Sequence, residues 1–76
     1  MFLPTHSIWL VDKNGDASNC EMSDCSTKKA FRQEVKDLIN YYAKNGDVSI
    51  YVKAQYRSGD IVLYECTIEE CMNEED

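Results

Sequence analysis

The sequence predicts a single small α+β domain in the order ββαββ, with one helix packed on an antiparallel sheet. Three observations predict it. Strand formers cluster before an Asn-Gly turn, a helical stripe of apolar residues follows, and strict alternation then leads into a second glycine turn. At 76 residues the chain has room for one domain. So short a chain buries only about 60% of its unfolded surface, and such domains often lean on a disulfide, a metal or a partner subunit. Its hydrophobic content of 43% argues against disorder over the whole length.

The first strand is predicted around Ser7-Ile8-Trp9-Leu10-Val11, rich in strand-forming side chains. Asn14-Gly15 follows, a strong signal for a type I′ hairpin, whose two central residues both need φ > 0. Lys13 and Asp16 flank the pair with opposite charge, which favours facing positions. The second strand is predicted over residues 17–22. If that hairpin failed, the order would reduce to βαββ.

The helix is predicted to start near Ser26, whose hydroxyl can accept from an orphan amide of the first turn. Phe31, Val35, Leu38, Ile39 and Tyr42 then recur at spacings that draw one apolar stripe. Gly46 is expected to close the helix in a left-handed C-cap. Lys28, Lys29 and Arg32 sit in the first turn, where the helix dipole disfavours cations. Pairing of Lys28 and Arg32 with acids of the preceding strand would offset this. A basic contact patch running on to Lys36 is the other reading.

From Val48 the period changes to two. Val48, Ile50, Val52, Ala54 and Tyr56 alternate with polar neighbours, as in a half-buried strand. Ser58-Gly59 is expected to turn the chain into a last strand over residues 61–68. Val62, Tyr64, Cys66 and Ile68 share one face there, and Ile61 and Leu63 leave the other apolar as well. Residues 1–71 form the predicted domain, and residues 72–76 an acidic, frayed tail.

Charge is distributed unevenly. The net charge is −6, made up of −3 over residues 1–24, +3 over 25–64 and −6 over 65–76. Two acidic groups result: Glu65, Glu69, Glu70, Glu74 and Glu75 near the C-terminus, and Asp12, Asp16, Glu21 and Asp24 near the N-terminus. One reading is solvated surface; the other is an interaction surface for a basic partner. Direct binding to nucleic acid is opposed by the net charge. Lys28, Lys29, Arg32 and Lys36, with Tyr51, Lys53 and Arg57, are the residues that would have to provide it.

Four cysteines fall in two pairs with four residues between the members, Cys20 with Cys25 and Cys66 with Cys71, each following a hairpin in a faint internal echo. Reduced thiols packed as small hydrophobes are the expected state. A zinc staple held by all four cysteines is an alternative, if the two hairpins lie side by side. Disulfides are another, and three pairings are then open.

Catalysis is not expected. The one histidine, His6, is read as an exposed residue near the terminus. There is no Ser-His-Asp set, HExxH motif or glycine-rich phosphate loop. Cys25, before the basic first helical turn, is the only candidate for a nucleophile. No targeting segment or membrane span is read from the sequence, so a cytoplasmic location is expected. In size, acidity and lack of catalytic apparatus the chain is similar to small phage-encoded inhibitors, including anti-CRISPR proteins, some of which mimic nucleic acid. The similarity is one of general character, with no motif and no residue carried over. It implies an acidic inhibitor that binds a basic, nucleic-acid-binding surface of a target protein, in the host cytoplasm, with no cofactor and no membrane. The alternative is an assembly module that self-associates through sheet edges as a homodimer.

Overall fold

Two antiparallel hairpins flank one long helix. The computed structural model describes residues 5–73, and the elements run β1 (His6–Asp12), β2 (Ala17–Met22), α1 (Lys28–Ala43), β3 (Tyr51–Ser58), β4 (Ile61–Thr67) and α2 (Ile68–Met72). The strands form one sheet in the order β2-β1-β3-β4, all neighbours antiparallel. The ββαββ expectation therefore holds, with a short terminal helix added.

The helix forms where the apolar stripe placed it. Phe31, Val35 and Ile39 are buried, and Leu38 and Tyr42 pack beside them. They meet Ile8 and Leu10 of β1 and Ala54 and Tyr56 of β3, also buried. Full burial of each large side chain contributes about 1.5–3 kcal/mol. Thr27 caps the helix rather than Ser26: its hydroxyl accepts from Ala30 N at 3.0 Å. The one-residue shift has a tertiary cause. The Tyr56 hydroxyl accepts from Cys25 N at 2.6 Å and donates to Cys25 O at 3.3 Å, which holds the chain to β3 just before the helix.

The far end differs from expectation. Gly46 has no positive φ. The helix instead tightens through bonds from Lys44 N to Tyr41 O and from Asn45 N to Tyr42 O. Asp47 then accepts from Ser49 N at 2.9 Å, and Tyr51 N donates to Val48 O. These local bonds bend residues 48–50 into a turn, so β3 starts at Tyr51 and not at Val48. Val48 still packs on the core, while Ile50 and Val52 are exposed.

Both turns use glycine, but not as predicted. Only Gly15 has positive φ in the first, so the type I′ geometry is not formed. Gly15 N bonds to Asp12 O and Asp12 N to Asp16 O, a longer loop with a glycine bulge. The Asp12 carboxylate explains the preference, because it accepts from both Asn14 N and Asp16 N. In the second turn Gly59 and Asp60 are the central residues, Ser58 pairs with Ile61, and Gly59 has a φ of 59°.

A bulge in β4 also corrects the predicted faces. Tyr56 pairs with Tyr64 but Arg57 with Val62, which leaves Leu63 as the extra residue. The slip moves Val62 off the core face, and Ile61, Val62 and Leu63 are all exposed. Ile68, assigned to the strand, opens α2. Met72, assigned to the frayed tail, ends it.

Candidate functional site

β4 is an edge strand, and α2 continues from it and packs against α1. Together they make a margin whose strand part alone runs about 20 Å. One end carries the exposed Ile61, Val62 and Leu63, and the other carries the exposed Glu65, Glu69 and Glu70. Thr67 sets the start of α2: its hydroxyl accepts from Glu70 N at 3.1 Å and donates to Glu70 Oε1 at 3.2 Å. This capping arrangement holds the Glu70 carboxylate at the helix N-terminus, where negative charge is favourable. Glu69 lies in the same turn. Glu74 and Glu75 lie outside the described residues.

The acids are not equally available. Glu65 accepts from Gln55 Nε2 at 2.6 Å and stands 3.5 Å from Lys53 Nζ. The Gln55 hydrogen bond, then the Lys53 charge, holds its carboxyl below the usual range. It belongs to a chain of polar contacts on the sheet face opposite the helix. Gln55 Oε1 accepts from Arg57, whose guanidinium lies 4.2 Å from the Trp9 ring, and Trp9 Nε1 donates to Ser7 Oγ. Lys53 and Arg57, two members of the basic-aromatic surface considered above, are thus engaged within the protein. Lys28 packs 5.7 Å from the Tyr64 ring of β4, not on an acid of β2.

The N-terminal acids are scattered by the fold. Asp12 and Asp16 lie at the β1–β2 turn, and Asp12 is occupied there. Asp24 lies at the other end of the hairpin and accepts from Thr5 N, His6 N and His6 Nδ1. The hydrogen bond from His6 pulls its carboxyl below its ordinary value. Glu21 points to the helix side of β2, where burial and the neighbouring Glu34 and Asp37 push its carboxyl up. Its Oε2 is buried without a hydrogen-bond partner among the described residues. A proton shared with Glu34 would satisfy it.

His6 was misplaced by sequence reasoning. It opens β1 and stacks on Tyr56 with ring centroids 5.2 Å apart, besides bonding Asp24 at 2.8 Å. Tyr56 in turn stacks on Tyr64 at 5.4 Å. The only hint in the sequence was the adjacency of His6 to a predicted strand.

The cysteines separate into two unlike pairs. Cys20 is on β2 and Cys66 on β4, opposite edges of the sheet with two strands between, or about 14 Å. Zinc requires its thiolate ligands about 2.3 Å from one ion, so the fold does not build the site in which Cys20, Cys25, Cys66 and Cys71 would share a metal. Cys20 Sγ turns to Ser18 O and Cys25 Sγ to Ser23 Oγ. Burial pushes both thiols up, and nearby carboxylates push Cys25 further, the reverse of what a thiolate nucleophile needs. Cys66 and Cys71 meet, with sulfurs 2.9 Å apart.

Comparison with known proteins gives no relative: no family model, no curated protein and no solved structure matches the chain. Among the described residues no helix is long and apolar enough to cross a membrane.

Proposed function

We propose that the domain is a non-catalytic inhibitor that binds a basic, nucleic-acid-binding surface of a target protein, and that it docks through the β4–α2 margin. The observation that supports this reading is that one edge carries exposed apolar residues, Ile61, Val62 and Leu63, at one end and the exposed carboxylates of Glu69 and Glu70 at the other. Apolar side chains supply contact area once water leaves, while carboxylates select a positive partner and speed encounter. Glu69 and Glu70 carry more of the selectivity than Glu65, because Glu65 is already compensated by Lys53. Asp12 and Asp24 serve the fold and are secondary in this reading.

The test compares retention of purified nucleic-acid-binding proteins by the immobilised chain and by its Glu69→Lys/Glu70→Lys variant. Retention by the wild type should fall steeply between ~50 and ~200 mM salt, and the variant should lose it at both. Undiminished retention by the variant would remove the margin from the account.

A second reading draws on the same edge. β4 has an unpaired side and three exposed apolar residues in succession, features that invite pairing with a second copy. A charge of −6 on each copy opposes it. Sedimentation at low and high salt separates the two readings: self-association would strengthen with salt, whereas binding to a basic partner would weaken.

A further inference from the structure

We propose that Cys66 and Cys71 are a redox-active dithiol that closes to an intrachain disulfide, tying the end of β4 to α2. The sulfurs already stand 2.9 Å apart, one at the end of a strand and the other in the helix that follows it. No other pair of the four cysteines is brought together: Cys20 and Cys25 each face an oxygen of a neighbouring serine. Of the six pairs that four cysteines can form, the fold prepares this one.

Access sets the order of events. Cys71 is fully buried against α1. Cys66 is only partly buried and lies in a cleft of about 110 Å³ that Lys28, Arg32, Tyr64 and Glu70 also line. The reaction partner is a low-molecular-weight disulfide such as oxidised glutathione. The Cys66 sulfur, its proton lost to solvent, attacks one sulfur of the reagent. The reagent's S–S bond breaks and one glutathione leaves as thiolate, taking up a proton. Cys71 then gives up its proton to solvent, and its sulfur attacks Cys66, expelling the second glutathione. Two protein thiols are oxidised by two electrons, and one disulfide is reduced to two thiols. The adjoining Cys66 sulfur, and then burial, hold the Cys71 proton firmly, which is consistent with Cys71 acting second. The proposal stands whether or not the β4–α2 margin binds a partner.

The experiment equilibrates the full chain in graded glutathione buffers, quenches with acid, alkylates and digests with trypsin. Cleavage after Lys13, Lys28 and Arg57 puts Cys20 and Cys25 in residues 14–28, and Cys66 and Cys71 in residues 58–76. In the folded protein the 58–76 peptide should lose two hydrogens and escape alkylation. It should do so at a glutathione ratio at least about tenfold more reducing than the same peptide requires in urea. Cys71→Ser should accumulate a glutathione adduct on Cys66, whereas Cys66→Ser should form almost none on Cys71. Equal oxidation of the 58–76 peptide folded and in urea would overturn the dithiol, a result read on the wild type without any variant. Equal adduct formation by the two variants would overturn the order of attack.

Discussion

Glu21 shows how a single side chain can work against the fold that holds it. Its carboxyl is raised by burial and by Glu34, so between its unfolded value near 4.5 and its raised folded value the native state binds more protons than the unfolded state. Stability contributed by this group therefore falls as pH rises through that window. Glu21→Gln should raise the Tm at pH 7, and the gain should vanish below about pH 4.5. A Tm at pH 7 equal to or below wild type would mean the pair is already relaxed by solvent. Tyr56 works in the opposite sense. One hydroxyl satisfies both backbone groups of Cys25, and Tyr56→Phe leaves them without it. Thermal unfolding should show a loss of about 1–3 kcal/mol, with the ring stack retained.

At the level of elements, α2 is the part whose stability rests most on local chemistry. It has five residues, too few to persist without its cap and its buried Cys71. Thr67→Ala should cost about 1 kcal/mol and increase amide exchange in residues 68–72 ahead of the sheet. Exchange in α2 no faster than in β4 would show that packing alone holds it. This element also marks where sequence reading stopped. The stripe from Phe31 to Tyr42 and the alternation about Ala54 and Tyr56 were legible, because periodicity reports which face is buried. The end of β4 was not, because Ile68 continues the alternation, and the Thr67–Glu70 bonding and the burial of Cys71 that turn the chain into a helix leave no periodic mark. The Leu63 bulge likewise leaves no mark in a run of apolar residues. Among the candidate site residues, Glu69 and Glu70 could be placed on the surface from sequence. The pairing of Glu65, the scattering of Asp12 and Asp24 and the separation of the cysteine pairs all depend on strand order and long-range partners.

For the molecule as a whole, strand order decides the design. β1 and β3 occupy the centre, with β2 and β4 outside, so Glu21 on β2 and the acids of β4 and α2 lie on different edges, while Asp12 and Asp24 sit at opposite ends of β1; together they do not form one patch. Binding to a basic partner should therefore respond to substitutions on one edge alone. Asp16→Lys, at the tip of the first hairpin, should leave affinity within about twofold of wild type at ~150 mM salt, a separation beyond the screening length. An effect as large as that of the Glu69/Glu70 reversal would argue for a diffuse acidic field instead.

The stacking of Arg57 on Trp9 has a practical consequence. Trp9 is the only tryptophan in the chain, and it reports on the sheet face away from the helix, under a cation held 4.2 Å from its ring. Its fluorescence is thus a built-in optical probe of that face. A partner seated on Glu69 and Glu70, clear of the Glu65–Gln55–Arg57 contacts, should leave the emission maximum where it is. A partner that covers the open sheet face should displace the guanidinium or the solvent beside the indole and shift the colour of the emitted light.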